Sequence, residues 1–307
     1  ALAAFKREPG DPSQKKFQKQ IDDGYFYILS SVHDDGSIYR KKELLNYNTA
    51  VSMVALVAAD NPDYDPILRR ARNFVVGLQQ DFDEKGNLDN ALDGGIGYGG
   101  RHALEALYYT SHLVSDAQDA DMKKLNWEGV RHFLQNSQNL PEVNGQKWAS
   151  DDPQNKGGFV YFPGNTKSET VKLPDGREAL RSYGSISYAG MLSYIYADLK
   201  KDDPRVAAVL AWLRQNYTLE ENPGMGPQGL FYYFHTMTKA LTFSGIDTLP
   251  AADGKQIDWR RKLALRLINL QKTDGQWIND SARWWENDPA LVTSYALLAL
   301  EMIHDGL

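Results

Sequence analysis

The sequence predicts an all-α chain: about five helical hairpins set as an inner and an outer ring of helices, an α/α toroid, with a small strand-containing insertion. Three observations predict it. Segments with apolar residues at helical spacing recur along the chain and end in or beside Gln; a Gly-rich turn follows each; and a second, less charged helical segment follows each turn. The first helix of each pair has one charged face, as a surface helix should, and the second has few charges on any side, as a helix buried on both faces should. No such hairpin can hide its apolar face alone, so the pairs stack laterally. Closure into a ring is favoured over an open superhelix because neither terminal hairpin carries an obviously polar cap.

The elements run in order. Residues 1–14, opening ALAAFKREPGDP, read as a tether ahead of a single domain over 15–307. VHDDGS (32–37) is a first, degenerate turn, and NTAVSMVALVAA is its inner helix. ILRRARNFVVGLQQ ends at Gln80 and precedes Gly94-Gly95 and GGRHALEALYY. NWEGVRHFLQNSQ ends at Gln138 and precedes Gly157-Gly158 and SISYAGMLSYIYA. VAAVLAWLRQN ends near Gln215, with glycines over 224–229 and then HTMTKALTF. RRKLALRLINLQ ends at Gln271, followed by Asp274-Gly275 and LVTSYALLALEMI, the last entered through Asp288-Pro289, with Pro at the first helical position. The period breaks over about 139–182, where GFVYF and SETVKL alternate as short strands do and Pro174-Asp175-Gly176 signals a turn.

Composition bounds the chemistry. With 307 residues, 42% hydrophobic and 24% charged, the chain supports a substantial core and a solvated surface. A net charge of −6 and a pI near 5.6, with no basic stripe, argue against a nucleic-acid partner. The absence of cysteine excludes disulfides, thiolate metal sites and cysteine nucleophiles. The longest apolar stretch, ALVTSYALLALEMI, falls short of the roughly 20 residues that span a bilayer. The chain opens at Ala1 rather than Met, so a removed leader and a periplasmic or secreted location are compatible with it, as is a cytoplasmic one.

The motifs NLQKTDGQWIND (269–280) and NKGGFVYF (155–162) resemble the repeat of the prenyltransferase and squalene cyclase family, the first lying close to the QW motif of triterpene cyclases. The resemblance covers nearly the whole chain from about Phe17 and implies the toroid more strongly than any one chemistry. The cyclases' Asp-x-Asp-Asp-Thr acid has no counterpart before Thr49, Thr236 or Thr293, and DFDE (81–84) lies after an outer helix and reads as a solvated loop. FHTMTKAL resembles the zinc-histidine motif of the protein prenyltransferases, with His235 on the ligand histidine. In RSYGSISYAGML, however, Arg181 stands where the aspartate would be and Tyr183 where the cysteine would be, so no zinc or other cofactor is expected.

What remains is aromatic. GLFYYFHTMTKAL (229–241) crowds rings and a histidine where an inner helix begins. Inner-helix starts and turns place Tyr47, Tyr98, Arg181, Tyr183, Tyr232, Phe234, His235, Trp277, Trp284 and Trp285 as candidate ligand-binding residues around a central hollow, in preference to rings that merely plug it. Candidate catalytic groups are His235, His102 and Asp93. The leading expectation is a binder of an apolar or polycyclic, isoprenoid-like ligand, its catalysis open. Two other readings stand beside it. One is a carbohydrate-active enzyme drawing an acid pair from Asp93, Asp151, Asp152, Glu286 and Asp288. The other is a scaffold that presents its rim to a protein partner.

Overall fold

The computed structural model describes residues 1–8, 16–114, 122–250 and 255–306. Among them the chain is mainly helical, with eleven α-helices and two small antiparallel two-stranded sheets. The contacts fall into two compact units, residues 1–132 and 133–307.

The first unit holds α1 (Leu2–Arg7), α2 (Gln18–Leu29), α3 (Leu45–Ala58), α4 (Asp65–Val76) and α5 (Gly100–Tyr109). Leu2–Arg7, part of the segment read as a tether, is a helix with Ala4 buried, and it packs on α2 and α3; residues 9–14 of that segment lie outside the described residues. α3 packs against both α4 and α5. The α3 face is apolar and fully buried at Ala50, Met53 and Leu56. α6 (Trp127–Gln135) carries the chain out of this unit.

The second unit holds α7 (Gly184–Tyr196), α8 (Pro204–Gln215), α9 (Leu230–Phe243), α10 (Trp259–Leu270) and α11 (Pro289–His304). α9 lies between α7 and α11, while α8 flanks α7 and α10 flanks α11. The second helices of two predicted pairs, α7 and α9, are buried at nearly every position, whereas α11, the second helix of the last, is buried at six of its sixteen residues. Pro289 opens α11, and the Asp288 carboxylate accepts the Ala290 N–H at 2.8 Å, satisfying a donor that has no partner within the helix. α9 begins earlier than its small-residue pattern suggests, so the rings at 231–234 lie inside its first turns. Of the expected strands, SETVKL supplies β1 (Thr170–Lys172), paired with β2 (Glu178–Leu180) across a turn at left-handed Gly176. GFVYF forms no strand: the Phe159 N–H goes to the Ser187 hydroxyl (2.9 Å) and the Val160 N–H to the Ser137 carbonyl (2.9 Å). A second hairpin, β3 (Thr248–Pro250) with β4 (Gln256–Asp258), was not read from the sequence.

Four of the hairpin turns are one device repeated. The residue entering each loop donates its N–H to the carbonyl just past a left-handed glycine and accepts that glycine's N–H. His33 does this with Ser37 and Gly36 (2.9 and 3.0 Å), and Gln80 with Gly95 and Gly94 (2.7 and 2.9 Å). Asn139 does it with Gly158 and Gly157 (2.8 and 2.7 Å), and Lys272 with Gln276 and Gly275 (2.9 and 2.9 Å). The next residue is a buried apolar anchor, in turn Ile38, Ile96, Phe159 and Trp277. In three of the turns its N–H is taken by a hydroxyl of the helix that follows the turn: Ile38 by Thr49, Phe159 by Ser187 and Trp277 by Thr293.

The recurrent glutamine has a job in this device. The Gln79 amide donates to Gly94 O (3.2 Å) and to Asn126 O (2.9 Å), at the threshold of α6; the Gln138 amide donates to Gly157 O (2.9 Å) and to Arg205 O (2.9 Å), in the first turn of α8. The glutamine that follows the first helix of one pair thus also holds the start of the first helix of the next. The glycines make the same link. A Cβ on Gly36, Gly94 or Gly157 would collide with the carbonyl oxygen of Arg70 on α4, Gly129 on α6 or Ala208 on α8, respectively. Only glycine permits both the positive φ and that approach. The fourth expected turn, over 224–229, is built differently, with the Asn222 N–H on Gly226 O (2.8 Å) and the Asn222 side chain reaching Ser185 and Gln228.

Candidate functional site

The start of α9 and the loop before α11 hold four of the predicted residues of the second unit: Tyr232, His235, Trp284 and Trp285. Gly229, left-handed at φ +69°, precedes the helix and supplies no side-chain cap. The first N–H groups of α9 are taken instead by Glu286, from the loop before α11. Its carboxylate accepts from Tyr232 N (2.8 Å), Phe231 N (3.4 Å) and the Asn279 amide (2.6 Å). Glu286 is buried, and the loss of water raises its pKa above the ordinary carboxylate value, against the opposing pull of those hydrogen bonds. A negative charge at a helix N-terminus is also where the peptide dipoles favour it.

Two residues before Glu286, the backbone does something costly. Trp284 (φ 57°) and Trp285 (φ 60°) are both left-handed, a conformation that bulky side chains adopt at about 1–3 kcal/mol each. The Trp284 ring sits on Gly229, where a Cβ would come within 3.1 Å of it. The Arg283 guanidinium lies over that ring at 4.5 Å, and is itself held by the Gln228 side chain and by Lys167 O at 3.1 Å. The neighbouring Asn279 N–H closes the loop onto Glu286 O at 2.9 Å. The result is an exposed pair, Trp285 being 65% and Trp284 36% exposed. On the helix behind, Tyr232 meets Tyr295 of α11 at 5.8 Å, and His235 stacks on the same Tyr295 at 5.3 Å.

The other predicted residues fall elsewhere. Phe234 is buried against Phe231 and Tyr233. Trp277 is buried, with its ring N–H on Leu267 O of α10 (2.7 Å). Tyr183 is buried at the start of α7, and Arg181 reaches the Gln154 side chain. In the first unit, His102 meets Tyr47 edge-on at 5.0 Å, and Tyr98 is exposed between left-handed Gly97 and Gly99. Asp93 is fully buried, and its oxygens accept from Phe82 N (2.7 Å) and Asn90 N (2.8 Å), tying together the exposed loop that contains DFDE. Asp151 is exposed, Asp152 caps Gln154 N (2.9 Å), and Asp288 caps α11. Sequence reasoning missed Tyr295, Arg283 and Asn279. A Tyr nearly two turns into the last helix was the available signal for the first; nothing local marked the other two.

Among the described residues, no group of three or more His, Asp or Glu side chains is placed to hold a metal ion, and no helix is long and apolar enough to cross a membrane. No protein-family model matches the chain, and no curated protein matches it.

Proposed function

We propose that the chain binds a largely apolar, polycyclic ligand of isoprenoid type on the exposed tryptophans Trp284 and Trp285 by the start of α9, a helix on which Tyr232 is half-buried and His235 is buried against the half-buried Tyr295. The observation that carries this reading is the consecutive left-handed tryptophan pair, with Trp284 held by Arg283 and Gly229 and both rings exposed nonetheless. Strain of that kind persists only where surrounding groups enforce it, and it clusters at ligand clamps. Flat, rigid rings give large contact area at low entropic cost. The resemblance of NLQKTDGQWIND and NKGGFVYF to the prenyltransferase and squalene cyclase repeat supports the same ligand class, and the alternation of outer and inner helices supports an α/α toroid plan for the hairpins.

The test is intrinsic tryptophan fluorescence of the whole chain, titrated with a pentacyclic triterpene in mild detergent. Saturable quenching in the wild type, lost in Trp285→Ala, supports the proposal. No response to the triterpene, or saturable quenching by a neutral oligosaccharide instead, overturns it and favours the carbohydrate reading.

A further inference from the structure

Three loops of the second unit meet beside Trp284. The Ser168 hydroxyl of the insertion donates to Gly224 O, in the turn over 224–229. The Asn279 amide, from the loop before α11, donates to Pro227 O of the same turn (2.7 Å). Arg283 closes the junction. Its guanidinium donates to the Gln228 side-chain oxygen and to Lys167 O (3.1 Å), and it lies 4.5 Å over the Trp284 ring. On the insertion side, the Lys167 ammonium lies 4.7 Å over the Tyr161 ring.

Among the described residues, neither cation of this junction has a carboxylate partner. Arg177, Arg205, Arg260 and Arg266 of the same unit each pair with one. Arg283 is held instead by two neutral oxygens and a ring, which order the guanidinium and leave its charge in place. The nearest acids along the chain are spent elsewhere or stand apart: Glu286 accepts from the α9 amides, and the exposed Asp280 and Glu169 bond to neither cation. A guanidinium carries five N–H donors in one plane. Two are used here, so three remain, on an exposed side chain that is already fixed.

We infer that the ligand of the Trp284–Trp285 surface carries a carboxylate and that Arg283 receives it: a polycyclic acid rather than a neutral polycycle. This rests on the ligand reading above and narrows its class. A carboxylate matches a guanidinium through two parallel N–H···O bonds, and an arginine already held in position loses little side-chain freedom on binding it. The ring system lies on the tryptophans with its acid at the Arg283 edge, and Lys167 adds a second positive charge to the same junction.

The test is tryptophan fluorescence of the full chain in neutral detergent, titrated with a pentacyclic triterpene carboxylic acid and with its methyl ester. Both probes are run on wild type and on Arg283→Met. They share their rings and differ in charge, so the quantity read is the ratio of ester Kd to acid Kd. The expected ratio is about tenfold higher in wild type than in Arg283→Met, the order that a two-pronged charged hydrogen bond contributes. Comparing ratios removes whatever the variant costs both probes and however each partitions into detergent. Circular dichroism checks the fold of the variant. In wild type alone, added salt should shrink the ratio, since an exposed charge pair is screened. Equal ratios in the two proteins, or a wild-type ratio that salt leaves unchanged, overturn the inference, while saturable binding of the ester leaves the ligand reading standing. Quenching by neither probe overturns both.

Discussion

Trp277 and the pair Trp284-Trp285 share the loop between α10 and α11 and have opposite fates. Trp277 is the anchor of a repeated turn, buried, with both its N–H groups placed: the ring on Leu267 and the backbone on Thr293. The later pair is held out of the core by a left-handed backbone and a cation over one ring. The same residue type thus serves in one case to fix a helix to a turn and in the other to present a surface. The difference is set by what lies opposite each ring, a packed helix pair in one case and a bare glycine with solvent beyond in the other.

The comparison breaks most directly at Trp277. Trp277→Ala should cost about 3–5 kcal/mol in denaturant unfolding, because it leaves a cavity and an orphaned Leu267 carbonyl. A loss as small as that of an exposed tryptophan would remove the anchor role.

Glu286 joins the two regions, and its loss comes next. Glu286→Ala should cost about 1–3 kcal/mol by leaving the N–H groups of Tyr232 and Phe231 and the Asn279 amide without their acceptor. Its pH dependence has a definite sign. The folded pKa is raised, so the carboxyl's contribution is fully present below the ordinary value of 4.5 and is lost as pH rises through the raised folded value. The stability difference between wild type and Glu286→Gln should therefore shift against the wild type as pH rises through that window. A flat or opposite difference in urea midpoints would show that the hydrogen bonds outweigh desolvation.

The turns allow a finer cut. Gly275→Ala should cost about 1–2 kcal/mol for the left-handed backbone alone, while Gly157→Ala should cost more, since the added methyl also meets the Ala208 carbonyl. Equal losses on thermal unfolding would mean that the outer helix yields freely.

Smallest is Trp285→Gly. Relief of a left-handed non-glycine residue should leave stability unchanged or raise it by up to about 1 kcal/mol, while ligand quenching disappears. A clear loss of stability would show that the exposed ring is a packing residue after all.

Much of the helical order was legible before any coordinates. The segments ending at Gln80, Gln138, Gln215 and Gln271 are α4, α6, α8 and α10 to within a few residues at each end, because apolar spacing along a helix is a local property. The glycines of the turns were equally visible, since positive φ is a local demand. The true glutamine of the pair α4 and α5 is Gln79 rather than Gln80, a distinction that only its bonds to Gly94 and Asn126 reveal. The candidate site was legible as a list of rings but not as a sorting of them. Phe234 and Trp285 looked alike in sequence, yet one is 1% and the other 65% exposed. Nor could Glu286 be read as the cap of a helix more than fifty residues earlier, because that bond depends on how α9 and α11 pack.

The sequence by itself determined where most of the helices lie, which of them carry few charges, and where the chain must turn through glycine, though it set the start of α9 too late and read α1 as a tether; each of these readings follows from interactions among residues a few positions apart. The tertiary structure alone decided which turn is covered and which is left bare, which tryptophan is core and which is surface, and where the buried carboxylate finds its donors. Each of those depends on groups brought together from distant parts of the chain: the Ala208 carbonyl over Gly157, Gly229 under Trp284, and the α9 amides on Glu286.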